Sequence, residues 1–90
     1  MIQKALNKTI TVKILFFASL KNYFNTSEKT ITINENTTLK ELRNKLFLET
    51  NISQEKLLTL LYAINHNYVS LDTLLKDGDE IAFLPMVSGG

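Results

Sequence analysis

Cysteine is absent from this 90-residue chain. That removes disulfides, thiolate metal sites and thiol catalysis together, and it fits a reducing compartment. Glycine is scarce, with only Gly78, Gly89 and Gly90, and Pro85 is the single proline. Long apolar runs are missing. Stretches such as Ile14 to Ala18 fall far short of the ~20 residues a membrane helix needs, and the first ten residues lack a signal-peptide core. Charge of one sign is missing as well: the net charge of +1 argues against a nucleic-acid surface, which carries a basic excess. No nucleophile–base arrangement, phosphate-cradling glycine loop or metal-ligand spacing stands out, so an enzyme acting alone is the least expected reading.

What is present is globular. Apolar residues make up 44% and charged residues 21%, a composition outside the disordered and membrane classes. The length suits one small domain with a modest core, and no repeat, low-complexity tract or linker suggests a second. The expected organisation is an N-terminal extension over 1–8, a folded domain over 9–85 and a tail over 86–90. The expected location is the cytoplasm, with no membrane and no nucleic-acid partner.

Thr9 to Phe17 alternates, with Ile10, Val12, Ile14 and Phe16 on one face and Thr11, Lys13, Leu15 and Phe17 on the other. Ser19 to Phe24 suits a short helical turn. Lys29 to Ile33 alternates again and reads as a second strand paired with the first. Thr38 with Glu41 three residues later has capping-box spacing. Leu39, Leu42 and Leu46 then recur at helical spacing, Phe47 and Leu48 widen the stripe, and Lys40, Glu41, Arg43, Asn44 and Lys45 are assigned to water. This helix is expected to reach about Thr50, with another turn begun at Ser53. Thr59 to Ile64 is strand-like, Asn65-His66-Asn67 makes a tight reversal into Tyr68-Val69, and Leu71 to Leu75 is a short apolar bridge.

The last fifteen residues organise the rest. Asp77-Gly78 supplies the positive φ of a tight turn, Glu80 to Leu84 reads as a strand, and Pro85 ends it for want of an N–H. Met86-Val87-Ser88-Gly89-Gly90 follows with no partner in sequence. At a glycine frequency of ~7%, a Gly-Gly ending arises by chance about once in 200 chains, and in this glycine-poor chain less often still. The element order gives an α+β fold, a mixed sheet wrapped on one helix, with the first and last strands as central neighbours. Val12, Ile14, Phe16, Ile81 and Phe83 are assigned to the core. Leu15, Phe17, Tyr68 and Leu84 fall on the face the helix leaves bare, and together suggest a docking patch beside the tail root. His66 reads as a solvent-facing turn residue. Asp77, Asp79 and Glu80 form a weak cation cluster that a turn and a solvated edge explain better, and Lys76 belongs to a mixed-charge surface.

These stretches resemble the small, sulfur-carrying subunit of molybdopterin synthase, a ubiquitin-like β-grasp family. The likeness rests on Val12 to Ala18 as its first strand and on Ala63-Ile64-Asn65 with Tyr68-Val69 as its hairpin. It rests also on Leu75 to Pro85 followed by Val87-Ser88-Gly89-Gly90, and its specific part is the Asp77-Gly78-Asp79-Glu80 turn joined to Pro85-x-Val87-Ser88-Gly89-Gly90. Met86 departs from the pattern, where the family commonly has a second proline. The resemblance implies that the Gly90 carboxylate is adenylated with ATP by a ubiquitin-activating-type adenylyltransferase and converted to a thiocarboxylate. It implies that Val87, Ser88 and Gly89 thread the tail into the large synthase subunit, which builds the dithiolene of molybdopterin from cyclic pyranopterin monophosphate. It also implies that Leu15, Phe17, Tyr68, Leu84, Pro85 and Met86 meet the partner in a heterotetramer, and that no cofactor or metal is bound. Glycine at the last two positions suits a narrow channel, since it has no Cβ. Two other readings stay open: a sulfur carrier for thiamine synthesis or transfer-RNA thiolation, and a non-covalent ubiquitin-like interaction module. Deleting Gly90 separates the carriers from the module.

Overall fold

A computed structural model of the chain describes residues 8–48 and 50–85. Residues 1–7 of the expected extension, Glu49 and the expected tail over 86–90 lie outside the described residues. The elements in chain order are β1 (Thr9–Phe16), α1 (Leu20–Phe24), β2 (Glu28–Asn34), α2 (Leu39–Phe47) and α3 (Gln54–Leu58), then β3 (Leu60–Ile64), β4 (Asn67–Tyr68) and β5 (Glu80–Pro85). They form one five-stranded sheet in the order β2-β1-β5-β3-β4. The central pair β1 and β5 is parallel, and every other neighbour pair is antiparallel. A mixed sheet of this order, wrapped on one main helix, is the β-grasp.

The alternation in β1 and β5 sets which face is buried. Val12, Ile14, Phe16, Ile81 and Phe83 point inward and are all but inaccessible. Leu39, Leu42 and Phe47 of α2 close over them, joined by Leu20, Leu57, Leu60, Tyr62, Ile64 and Leu75. Phe83 is the hub: its ring takes Phe47 and Tyr62 edge-on at 5.6 and 5.5 Å and lies 6.2 Å from Phe16. Such edge and offset contacts add about 0.5–1.5 kcal/mol each beyond the area they bury.

Helix α2 starts where the sequence signal puts it. Thr38 Oγ1 accepts from Glu41 N at 3.2 Å, and Glu41 Oε1 accepts from Thr38 N at 2.9 Å, so both halves of the capping box form. The remaining first-turn donors are taken from outside: Leu39 N donates to Thr73 O and Lys40 N to Leu71 O, each at 2.9 Å. The loop before β5 is thereby tied to the helix start, and no amide of the first turn is left without an acceptor.

Three expectations along the helical region change. Helix α2 stops at Phe47 rather than near Thr50, because Thr50 donates to Phe47 O through both its backbone N (3.1 Å) and its Oγ1 (2.9 Å). Leu48 does not widen the buried stripe; it is 79% exposed. Arg43, assigned to water, is only 9% exposed, because it lies on the flank of α2 that faces Tyr62 of β3. The turn expected at Ser53 is α3, with Ser53 Oγ accepting from Lys56 N at 3.1 Å.

The turn before β5 is locked from two sides. Gly78 takes φ +86°, and its N–H donates to Thr11 O at 2.8 Å, while Asp77 Oδ1 accepts from Thr11 N at 2.7 Å. Asp79 corrects the solvated-edge reading: it is 8% exposed, with Oδ2 accepting from Lys76 N at 2.8 Å and Oδ1 from Asn65 Nδ2 at 3.0 Å. Pro85 is the last residue of β5 rather than the first beyond it, pairing with Leu60 of β3. By that point β1 has already ended, at the Phe16–Phe83 pair, so one flank of Pro85 is open and its missing N–H breaks no ladder there. At the other end of the domain, Lys8 O accepts from Glu35 N at 3.0 Å.

Candidate functional site

The face of the sheet away from α2 divides into a polar half and an apolar half, and the strand registers fix the division. Leu15 lies beside Ala82, Ala82 beside Ala63, and Ala63 beside Tyr68, which makes one row across four strands. The next row pairs Leu84 with Leu61, and Phe17 follows directly on the end of β1. In the opposite direction the rows become polar, with Lys13 beside Thr30 and Glu80, and Thr11 beside Thr32. Because β1 and β5 run parallel, the apolar half gathers at the end of both strands, where Pro85 leads on toward residue 86.

Of the expected docking residues, Leu15, Phe17, Tyr68 and Leu84 come together on this face. Phe17 is 43% exposed and Tyr68 74% exposed, while Leu15, Leu84 and Pro85 are half-buried. Met86, Val87, Ser88, Gly89 and Gly90 lie outside the described residues. Leu61, 37% exposed, was not singled out by the sequence. It sits in the unbroken apolar run Leu60 to Ile64, where alternation cannot say which side chains face out, and the Leu61–Leu84 pairing settles it. Adjoining the patch, a hollow of about 290 Å³ opens beside Leu15, Phe17 and Ala18.

Exposed large apolar side chains in adjacent rows are costly for a monomer to leave bare, since each leucine or phenylalanine buried later is worth about 1.5–3 kcal/mol. This face therefore has the character of an interface core, with Lys13 and Glu80 on its polar side. His66 stands apart in the β3–β4 turn at φ +74°, its Nε2 3.6 Å from Glu80 Oε1 and its side chain open to solvent. Among the described residues, no three His, Asp or Glu side chains come together as a metal site. No helix among them is long and apolar enough to cross a membrane.

Comparison with known proteins follows the same outline. Residues 14–90 match the ThiS family. The molybdopterin synthase sulfur carrier subunit of Escherichia coli strain K12 is 34% identical over 84 residues, covering 88% of this chain and 99% of that protein. Among solved structures, a chain of the complex of subunits 1 and 2 of the molybdopterin-converting factor from Helicobacter pylori 26695 is 36% identical. It aligns over 90% of this chain and all of its own length, with a TM-score of 0.59. The small archaeal modifier protein 1 of Methanosarcina acetivorans is 29% identical, with a TM-score of 0.71 over 92% of this chain and 99% of its own.

Proposed function

The chain belongs to the ThiS family, and from that premise we propose that it is the sulfur carrier of molybdopterin synthesis, the small subunit that brings sulfur to a larger synthase subunit. The observation that carries the reading is the gathering of the exposed apolar half-face at the end of β5 from which the tail departs. A partner that covers Leu15, Phe17, Leu61, Tyr68 and Leu84 receives residues 86–90 at its own surface. The similarity to the sulfur carrier subunit of Escherichia coli, and to a chain found in a two-subunit converting-factor complex, supports the same partner.

The chemistry proposed for Gly90 follows from what a carboxylate lacks. Attack on it must break its resonance and expel oxide, so it is first joined to AMP from ATP by an adenylyltransferase, with pyrophosphate leaving. A persulfide then attacks the acyl carbon and AMP departs, giving an acyl disulfide. A second thiol then attacks the donor-side sulfur of that disulfide, forming a new disulfide with the donor and releasing the thiocarboxylate on Gly90. The carrier supplies no catalytic side chain of its own: the activating enzyme and the large subunit do the chemistry, in the cytoplasm, and the fold presents the tip. Gly89 and Gly90, lacking Cβ atoms, fit channels in two different enzymes that a larger residue would block. No resident cofactor is needed, since ATP is spent by the partner.

A second reading keeps the activated terminus and changes the acceptor. The similarity to a small archaeal modifier protein favours transfer of the Gly90 acyl group to an amine of another protein. Reconstitution separates the two. With the large subunit, the activating enzyme, ATP, a sulfur donor and cyclic pyranopterin monophosphate, the first reading expects molybdopterin to form with this chain and none with the chain lacking Gly90. Failure to form it, with the same enzymes active on their own carrier, would sink the first reading.

A further inference from the structure

Arg43 is the only arginine in the chain, and it is more than nine-tenths buried. Its Nε and Nη2 donate to Asn44 Oδ1 at 3.1 and 2.8 Å, and its Nη1 donates to Tyr62 Oη at 3.3 Å. Tyr62 Oη in turn donates to Leu57 O at 3.4 Å. Every one of these acceptors is neutral. The fork that ordinarily grips a carboxylate holds an amide oxygen instead, and the bonds through Tyr62 are long. No carboxylate pairs with Arg43 among the described residues, and of its five N–H groups two have no acceptor among them. A buried cation without a counter-charge is a costly way to fill a helix flank.

Arg43 also borders a hollow of about 360 Å³ at the edge of the sheet, among whose walls are Leu58, Leu60, Leu61, Tyr68 and Leu71. The hollow exists because β4 is short. It pairs only with Ala63 and Ile64 of β3, so among the described residues the flank of Leu60 and Leu61 away from β5 has no strand beside it. Two of the walls, Leu61 and Tyr68, belong to the exposed apolar face as well. The hollow therefore continues the docking face around the sheet edge and ends on a cation, the one charged residue in its lining.

We propose that this hollow receives an aspartate or glutamate side chain of the protein that covers the outer face, its stem between Leu61 and Tyr68 and its carboxylate on the free N–H groups of Arg43. The inference rests on the docking reading above and adds an acidic anchor to it. The walls favour a carboxylate on an apolar stem over a phosphate: they are apolar, and a single cation cannot neutralise a dianion there. In the free chain each guanidinium nitrogen makes one bond to a neutral acceptor and two N–H groups remain for the incoming carboxylate, so in the complex the charge is matched out of water.

The test is to titrate the nitrogen-15-labelled chain with its large synthase subunit and to measure dissociation constants for wild type, Arg43→Gln, Arg43→Lys and Phe17→Asp. A single arginine gives a single Nε–H resonance. On complex formation that resonance is expected to shift and to exchange more slowly with solvent. Arg43→Gln is expected to weaken binding tenfold or more, with Arg43→Lys restoring part of the loss. Binding by Arg43→Gln as tight as wild type, with an unmoved Nε–H signal and with Phe17→Asp still disrupting the complex, overturns the acidic anchor and leaves the docking face standing. If Phe17→Asp also binds normally, the docking face itself fails. Should Arg43→Gln fold poorly, the wild-type Nε–H signal decides alone.

Discussion

Asn65 shows how much a single side chain carries in this fold. It occupies the first position of the β3–β4 turn at φ +50°, a conformation asparagine tolerates better than most residues. Its Oδ1 accepts from Glu80 N at 3.0 Å and its Nδ2 donates to Asp79 Oδ1 at 3.0 Å, while its own N–H donates to Glu80 O at 2.8 Å. The hairpin is thus stitched to the start of β5 by a side chain imitating a strand. Asn65→Gly keeps the turn geometry and loses both side-chain bonds, so it is expected to cost about 1–3 kcal/mol in chemical denaturation, since the buried Asp79 carboxylate loses a donor. A cost below a few tenths would show that the side chain serves only the turn. Gly78 presents the reverse case. A Cβ there meets no atom within 4 Å, yet φ is +86°, so Gly78→Ala is expected to lose about 1–2 kcal/mol to backbone strain alone.

At the scale of elements, β3 is where the sequence was least readable. Leu60 and Leu61 are identical in type and adjacent, yet Leu60 is buried and Leu61 is 37% exposed. In β1 the polar residues Thr11 and Lys13 mark the outer face, and the inward set was legible from them. An all-apolar run has no such marker, so only pairing with β5 assigns its faces. The assignment has a consequence. Leu60→Ala is expected to destabilise by about 2–5 kcal/mol, whereas Leu61→Ser leaves stability within about 0.5 kcal/mol and weakens binding to the large subunit. Equal losses of stability in the two variants would contradict the register. Arg43 was misplaced for a related reason. Helical periodicity gives a residue's angle around α2, not what packs against that angle, and Tyr62 arrives there from a strand nineteen positions on. The capping box was legible because it is local, and Thr38→Ala is expected to cost about 1 kcal/mol. In a domain of this size that lowers Tm by roughly 4–8 °C.

The whole molecule is a device for placing one end of a strand. Parallel pairing of β1 with β5 places two strands with buried inner faces at the centre, packs Phe83 against rings from β1, α2 and β3, and ends β5 at Pro85 beside the exposed apolar rows. The same pairing ties the mechanical integrity of the tail root to the core. Phe83→Ala is expected to cost about 3–5 kcal/mol, a large share of the ~5–13 kcal/mol typical of a 90-residue domain, and unfolding followed by circular dichroism measures it directly. Topology and core were readable from alternation and from the family resemblance, as was the placing of Leu15 and Leu84 on the outer face; the edge hollow was not, because it arises from β4 being two residues long. Intact mass spectrometry after incubation with ATP, the activating enzyme and a sulfur donor addresses the tail itself. A gain equal to sulfur replacing one oxygen is expected, absent without ATP and absent when Gly90 is removed. An unchanged mass beside an enzyme active on its own carrier would contradict it, and leave a β-grasp domain whose outer face binds partners without any chemistry at its terminus.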